Sequence, residues 1–136
     1  MVSSADIVSR LGNSRALQLT TDSGATVDTA MIDTIIAQVE AVVWGFVRKR
    51  VALPLTQADY PQTYAALQGL ITDMVVFRLH GRRPPVPEDV KLLHTQAVEW
   101  LNGLARGDVA LPDATLNEPE LDWDGDEQNA GTARGL

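Results

Sequence analysis

The sequence predicts an all-α protein, a small bundle of about four helices with a short extended segment and an extended acidic C-terminal tail. Apolar residues recur at spacings of three and four through residues 28–50, 61–80 and 87–106. Prolines stand only at the starts of these stretches or outside them. A chain of 136 residues with 45% apolar and 21% charged side chains has the ordinary composition of one globular domain.

Charge divides the chain into two parts. Residues 112–136 hold seven acids against one base, which gives −6 of the formal net charge of −7. Residues 1–111 hold the other eleven acids and ten bases. We therefore predict a helical domain over residues 1–111 and an acidic tail over residues 112–136 that is disordered alone and ordered by a partner. A near-neutral domain exerts no long-range attraction on phosphates, which disfavours free nucleic acid as a partner.

Membrane and disulfide-based classes of protein do not fit the composition. The chain has no cysteine, so disulfides and thiolate metal sites are excluded. No apolar run approaches the roughly 18–20 residues that cross a bilayer. The first ten residues lack the basic and apolar blocks of a signal peptide. We expect a soluble, intracellular chain with no membrane partner.

The first two predicted helices differ in length. Ser3 or Ser4 caps a short helix that Gly12 ends, and another helical turn follows before the break at residues 22–24. The next helix begins near residue 28. Its apolar stripe comprises Ile32, Ile35, Ile36, Val39, Val42, Val43, Phe46 and Val47. We expect it to reach about Arg50, because Pro54 disfavours helical geometry before it.

A third helix spans Pro61 to about His80, and Gly81 ends it. Its second half is apolar almost all round, so we expect it to be the most buried element. Asp73 lies inside that run and needs a partner. We predict an ion pair between Asp73 and Arg50 that orders the loop after the preceding helix.

A fourth helix opens with Pro87 at its first position and closes at Arg106 and Gly107. Its apolar stripe comprises Val90, Leu93, Ala97, Trp100, Leu101 and Leu104. Residues 108–111 then form a short extended segment.

The sequence has few residues in patterns typical of catalysis or metal binding. His80 and His94 stand in no triad or metal-ligand spacing, and we interpret both as structural. Residues 22–33 lack the sixth-position glycine and twelfth-position glutamate of a calcium loop. No phosphate loop, nucleophile elbow or pair of metal-binding histidines occurs. The sequence therefore predicts no enzymatic activity, no cofactor and no metal.

Two groups of residues are candidates for protein contacts. Trp44 lies on the small and polar face of its helix, and large aromatic residues are enriched at interfaces. We predict a subunit interface formed by Trp44, Ala41, Glu40 and Arg48; the alternative is that another helix of the same chain covers Trp44. The tail has spaced apolar residues that we predict to bind a partner protein. They are Leu116, Leu121, Trp123 and Leu136.

Five segments, in order, carry a family resemblance. They are SSADIVSRLG, LQLTTDSGATVD, RKRVALPL, ITDMVVFRLHGRRPP and AVEWLNGLARGDVAL, within residues 3–111. Together they resemble the Mu-like tailed-phage head–tail adaptor (head completion, or neck) family, long catalogued as a phage family of unknown function. The chain departs from the family pattern at Val51, where tyrosine is usual, and at Leu11, where phenylalanine is common.

The resemblance implies a non-catalytic protein of the virion neck, assembled in the host cytoplasm. Proteins similar to it form a homo-oligomeric ring, usually dodecameric, below the portal protein. The ring extends the DNA channel, with DNA only as passing cargo, and docks the next neck (stopper) or tail protein. In such a ring we predict that Arg82, Arg83 and the apolar tail residues contact the portal or neck partner.

The alternative is a small helical DNA-binding or regulatory phage protein. Helix–turn–helix readers need a short turn and a basic recognition helix, whereas the helices here are apolar-faced and joined by long connections with prolines. Two interpretations of residues 48–50 stay open. These cations contact other proteins near a helix end, or Arg48 or Lys49 lines a DNA channel.

Overall fold

A computed structural model describes residues 1–21, 24, 26–51 and 55–113. Within these ranges the chain forms five α-helices and no strand. They are α1 (Ser4–Leu11), α2 (Asn13–Thr20), α3 (Thr29–Val47), α4 (Pro61–His80) and α5 (Glu88–Arg106). The predicted all-α class is confirmed, and the helical turn predicted after the first helix is α2, a complete helix of eight residues.

Local sequence signals set the helix boundaries. Ser3 and Asp6 form a capping box, in which the Ser3 hydroxyl accepts from the Asp6 N–H at 3.2 Å and the Asp6 carboxylate accepts from the Ser3 N–H at 2.9 Å. Gly12 turns the chain from α1 into α2 with a φ of +86°, which side chains other than glycine rarely adopt. Asp28 caps α3, and Gly107 ends α5 in the left-handed conformation.

The hydrophobic core lies between α3, α4 and α5. Both α3 and α4 contact all four other helices. As predicted, α4 is the most buried: nine of its 20 residues are buried, against five of 19 in α3 and four of 19 in α5. The central side chains are fully buried, among them Val39, Val43, Ile71, Val75 and Leu104. Each such side chain stabilises the fold by about 1.5–3 kcal/mol through its burial.

The described residues leave part of the apolar surface of α3 uncovered. By length and composition α3 could cross a membrane, contrary to the expectation that no run in this sequence could. Its residues Ile32, Val39 and Val47 are fully buried in the core of the bundle. Only 28% of its 18-residue apolar stretch is buried, however. Val42, which the sequence placed in the core stripe, is 41% exposed.

The end of α3 differs from the prediction. The helix stops at Val47, and residues 48–50 form a turn. The N–H groups of Arg50 and Val51 both donate to the Val47 carbonyl at 3.0 Å. This turn carries the Arg50 side chain inward, where the residue is only 6% exposed.

Residues 108–111, predicted to be a short extended segment, follow α5 without helix or strand. Leu111 is buried at the edge of the core. Val109 lies against Gly103 of α5 so closely that a Cβ at Gly103 would be 2.8 Å from the Val109 side chain. Gly103 therefore lets the segment fold back on the helix.

Candidate protein interfaces

The outward face of α3 is the first candidate interface. Ala41 and Arg48, two of the four residues predicted at a subunit interface, are exposed. Val42 is exposed beside them, although the sequence assigned it to the core. Trp44 is half-buried and packs against the edge of the core, so the chain itself covers part of the indole. This face is thus accessible and mixes small, polar and apolar side chains.

Glu40, the fourth predicted interface residue, has partners inside the chain. Its Oε2 accepts a hydrogen bond from the Val2 N–H at 3.0 Å and lies 3.2 Å from the Met1 amino group. The Met1 carbonyl in turn accepts from the Gln68 side chain at 2.8 Å. Glu40 of α3 and Gln68 of α4 therefore hold the first two residues of the chain. The Glu40 carboxylate already has partners within the same chain.

The predicted ion pair between Arg50 and Asp73 is replaced by two separate contacts. The cation at Asp73 is Arg10 of α1, whose Nη2 lies 2.5 Å from Asp73 Oδ1. Arg50 instead donates from Nη1 to the Leu104 carbonyl at 2.7 Å. That carbonyl belongs to the last turn of α5, where helical partners run out. Asp73 has an ion-pair partner, as predicted, but the partner is a different arginine. The spacing of apolar residues in the sequence does not show that α1 covers this side of α4.

The turn after α4 is the second candidate interface, because it carries Arg82 and Arg83. Both residues are exposed. The Arg82 guanidinium donates to the Leu19 carbonyl at the end of α2, and Arg83 donates to the Arg82 carbonyl at 3.4 Å. Arg15 of α2, which the sequence did not single out, lies with Arg83 in the wall of a hollow of about 360 Å³. No sequence pattern relates Arg15 to Arg83, since only the packing of α2 near the end of α4 brings them together.

The start of α4 is held by a residue assigned to the acidic tail. Asp113 accepts hydrogen bonds from the Gln62 N–H at 2.8 Å and the Thr63 N–H at 3.1 Å, and also from the Thr63 hydroxyl. Desolvation acts to raise the pKa of Asp113, but the hydrogen bonds from Thr63 and Gln62 outweigh it and lower the pKa. A carboxylate fifty residues away in sequence thus caps the helix.

Both histidines make contacts within the helical bundle. The His80 Nδ1–H donates to the Val76 carbonyl at 3.0 Å within α4. The His94 ring stacks on Phe77, with centroids 3.8 Å apart, and its buried Nδ1 has no hydrogen-bond partner among the described residues. Burial, with a further contribution from the nearby Arg78 charge, lowers the pKa of His94. Within the described ranges, no group of three His, Asp or Glu side chains is placed to hold a metal ion.

Four of the predicted partner-binding residues lie outside the described residues. They are Leu116, Leu121, Trp123 and Leu136. Their assignment to a portal or neck contact stays a prediction.

The described part of the chain is a helical protein with exposed apolar and cationic side chains. The family described as Bacteriophage Mu, Gp36 matches residues 2–127, and this chain belongs to that family. The match runs sixteen residues beyond Leu111 (127 minus 111), where the sequence resemblance stopped, and so takes in most of the acidic segment. No curated protein and no solved structure matches the chain.

Proposed function

We propose that this chain is a structural head–tail connector (adaptor) of a tailed phage. It forms a ring below the portal, extends the DNA channel and docks the next neck or tail component within the virion. The proposal is supported by membership of the Mu Gp36 family, which makes the chain a phage protein. This role needs no catalysis, and DNA passes the ring as cargo.

The observation that carries the proposal is the partly uncovered α3. Only 28% of the 18-residue apolar stretch of α3 is buried, and Val42 within it is 41% exposed. In water such a surface is stabilised by contact with another protein, by roughly 25 cal/mol for each Å² of apolar area that is buried. A ring supplies that contact repeatedly, because each copy presents one face to one neighbour and a different face to the other.

Self-association of the purified protein tests the proposal first. We expect the mass in sedimentation equilibrium to rise with concentration towards a closed ring. Val42→Glu should weaken this association, because it places a charge on the outward face of α3. Leu92→Glu is the matched control, since Leu92 is 57% exposed on α5 and the substitution makes the same apolar-to-charged change.

Location in the particle is the second test. We expect the protein to co-purify with portal-bearing heads and to be present in mature virions. Mature virions that lack the chain would contradict the connector role. Tight binding of the isolated protein to DNA in moderate salt would favour the alternative of a DNA-binding phage protein, because phosphate contacts dominate such binding.

A further inference from the structure

Four hollows on the described part of the chain differ in charge. Three of them, of about 340–360 Å³, have at least one arginine in the wall. The fourth is larger, about 660 Å³, and the described residues that line it include no charged side chain. It lies between α1 and the residues that lead into α3, and we call it the α1 groove. Because a charge loses its water when it is covered, this groove favours an uncharged occupant.

The lining of the α1 groove combines apolar and hydrogen-bonding side chains, as protein interfaces do. Its apolar part consists of Ala5, Val8 and Val27. The other five side chains make no hydrogen bond with any described residue; they are Ser4, Ser9, Asn13, Thr26 and Thr29. All eight lining residues are exposed or half-buried, so the groove is open. A small ligand needs a site that covers most of its surface, whereas an open groove suits the face of another protein.

One surface of this chain has the matching character. The exposed residues in the middle of α3 are uncharged, and we call them the neutral α3 face: Thr34, Ala37, Gln38, Ala41 and Val42. Glu40, which lies between them in sequence, is half-buried and bonded to the first residues of the chain. Val42 gives the face a large apolar side chain that is 41% exposed.

The exposed sides of the other long helices match the groove less well. The exposed side of α5 carries acids and bases, among them Glu99 and Arg106. The exposed side of the first half of α4 is uncharged, but beyond Gln62 it offers only alanine and glycine. We propose that the α1 groove binds the neutral α3 face of a second copy of this chain.

Charges at the two rims have opposite signs. Asp28, an exposed acid, stands between the groove residues Val27 and Thr29. Arg78 of α4 is exposed beside the neutral α3 face, where it donates to the Gln38 side chain at 3.4 Å. An uncharged centre with complementary charges around it favours one partner and one orientation.

A copy cannot fill its own groove with its own face. Thr29, in the groove wall, is the first residue of α3, and Val42 lies thirteen residues further along the same helix (42 minus 29). That separation is about 20 Å at 1.5 Å per residue, and it is fixed because both residues belong to one helix. Contact between Val42 and the groove therefore needs another molecule.

This inference rests on the proposed function for the presence of neighbouring copies, and it names the surface that α3 meets. Groove and face are different surfaces of the chain, so the contact is heterologous. The copies at the two ends of an open assembly keep one groove and one face, which meet when the ring closes. Two α3 faces packed on each other would instead give a symmetric dimer that grows no further.

Full-length variants test the groove in sedimentation equilibrium. Ala5→Glu places a charge in the groove, and the first turn of α1 tolerates an acid because a helix start favours negative charge. It should weaken self-association at least about tenfold, as Val42→Glu does from the other side. Ser14→Glu is the matched control, since Ser14 is also exposed and second in its helix but lines none of the four hollows. It should leave the association constant unchanged.

The groove and the ring can fail separately. Normal association of Ala5→Glu, with the variant folded by circular dichroism, would overturn the groove contact. If Val42→Glu still weakened association in that case, a ring through α3 would stand and another surface would receive α3. Ser9→Glu, also in the groove wall, replaces Ala5→Glu if that variant does not fold.

Mixing the two blocked variants tests whether the contact is heterologous. Ala5→Glu keeps an intact face and Val42→Glu keeps an intact groove. Equal amounts of the two should form hetero-dimers that grow no further, whereas each variant alone should stay monomeric at the same concentration. A mixture that does not pair would overturn the inference.

Cross-linking locates the contact independently of affinity. The chain has no cysteine, so a short thiol-specific cross-linker joins only introduced cysteines. A mixture of Ala5→Cys with Val42→Cys should yield cross-linked hetero-dimers, and each variant alone should yield few dimers. Cross-linking of Val42→Cys mainly to itself would show α3 packed on α3 and would overturn the groove contact. A wild-type chain that stays monomeric, with no cross-linked product from the mixture, would contradict the ring and the groove contact together.

Discussion

The two ends of α4 differ in the groups that bond to them. At its start, the backbone N–H groups of Gln62 and Thr63 are met by the Asp113 carboxylate of the same chain. At its end, Arg82 and Arg83 donate to backbone carbonyls and remain exposed. A helix favours anions at its start and cations at its end. Both ends of α4 therefore carry the favoured charge.

The two ends differ in how far along the chain their charged groups lie. A start capped by three hydrogen bonds offers little to another molecule, because its donors are already satisfied. At the end of α4, Arg82 is bonded to the Leu19 carbonyl and Arg83 lies in the wall of a hollow with Arg15. The start of α4 thus carries a charged group that is distant in sequence, and its end carries cations that follow the helix directly.

The largest expected effect comes from the middle of α4, which joins its two ends. Ile71 is fully buried, so Ile71→Ala should lower the free energy of unfolding by about 2–5 kcal/mol through lost burial and the cavity left behind. Urea denaturation followed by circular dichroism measures it. Leu92→Ala, at an exposed position, should stay within about 0.5 kcal/mol of wild type. Equal losses in the two variants would contradict the assigned core.

Removing the Asp113 cap should have the next largest effect. Asp113→Ala is expected to lower the melting temperature at pH 7, because two backbone donors of α4 lose their acceptor. Asp113→Asn should lose less, since its amide oxygen still accepts. The folded-state pKa of Asp113 is lowered, so its contribution is present above the unfolded pKa of about 3.9. It is lost as the pH falls through the folded value. A melting difference between wild type and Asp113→Ala that persists unchanged at very low pH would contradict the cap.

The pair between Arg10 and Asp73 should have a smaller effect. The two side chains are 39% and 21% exposed, so we expect a coupling energy of about 0.2–1 kcal/mol from a double-mutant cycle. The cycle uses Arg10→Ala, Asp73→Ala and the double variant in denaturant titrations. An equivalent cycle between Arg50 and Asp73 should give no coupling, and coupling in that cycle alone would restore the sequence-based pairing.

The smallest expected effect is the pH dependence from His94. The folded-state pKa of His94 is below 6.5, so the unfolded chain binds the proton more readily. Stability should therefore decrease as the pH is lowered through about 6.5 towards the folded value. His94→Leu should flatten this part of the profile of melting temperature against pH. A profile unchanged by the substitution would show that the stacked ring does not report on this equilibrium.

Helix boundaries were largely predictable because their signals are local. The Ser3 cap, the stop at Gly12, the start of α4 at Pro61 and the end of α5 before Gly107 all agree with the structure. The end of α3 was predicted three residues late. The turn at residues 48–50 depends on the buried contact of Arg50 with α5, and no local signal reports that contact.

The candidate interfaces were predictable in composition but not in arrangement. Trp44 and Ala41 were placed on the outward side of α3 from spacing alone, yet the same spacing assigned Val42 to the core. An apolar arc that is wider than one face does not say which part a neighbouring helix covers. Glu40 and Arg48 share a face by periodicity, but only the folded chain shows that Glu40 already holds the first residues.

By itself, the sequence determined the helical class, most helix ends and the division of charge between body and tail, because each follows from residues close together in the chain. The tertiary structure decided that Asp73 pairs with Arg10, that Asp113 caps α4 and that Arg15 and Arg83 line the same hollow. The physical reason is that periodicity fixes which side chains share a helix face, whereas the packing of whole helices fixes what each face meets.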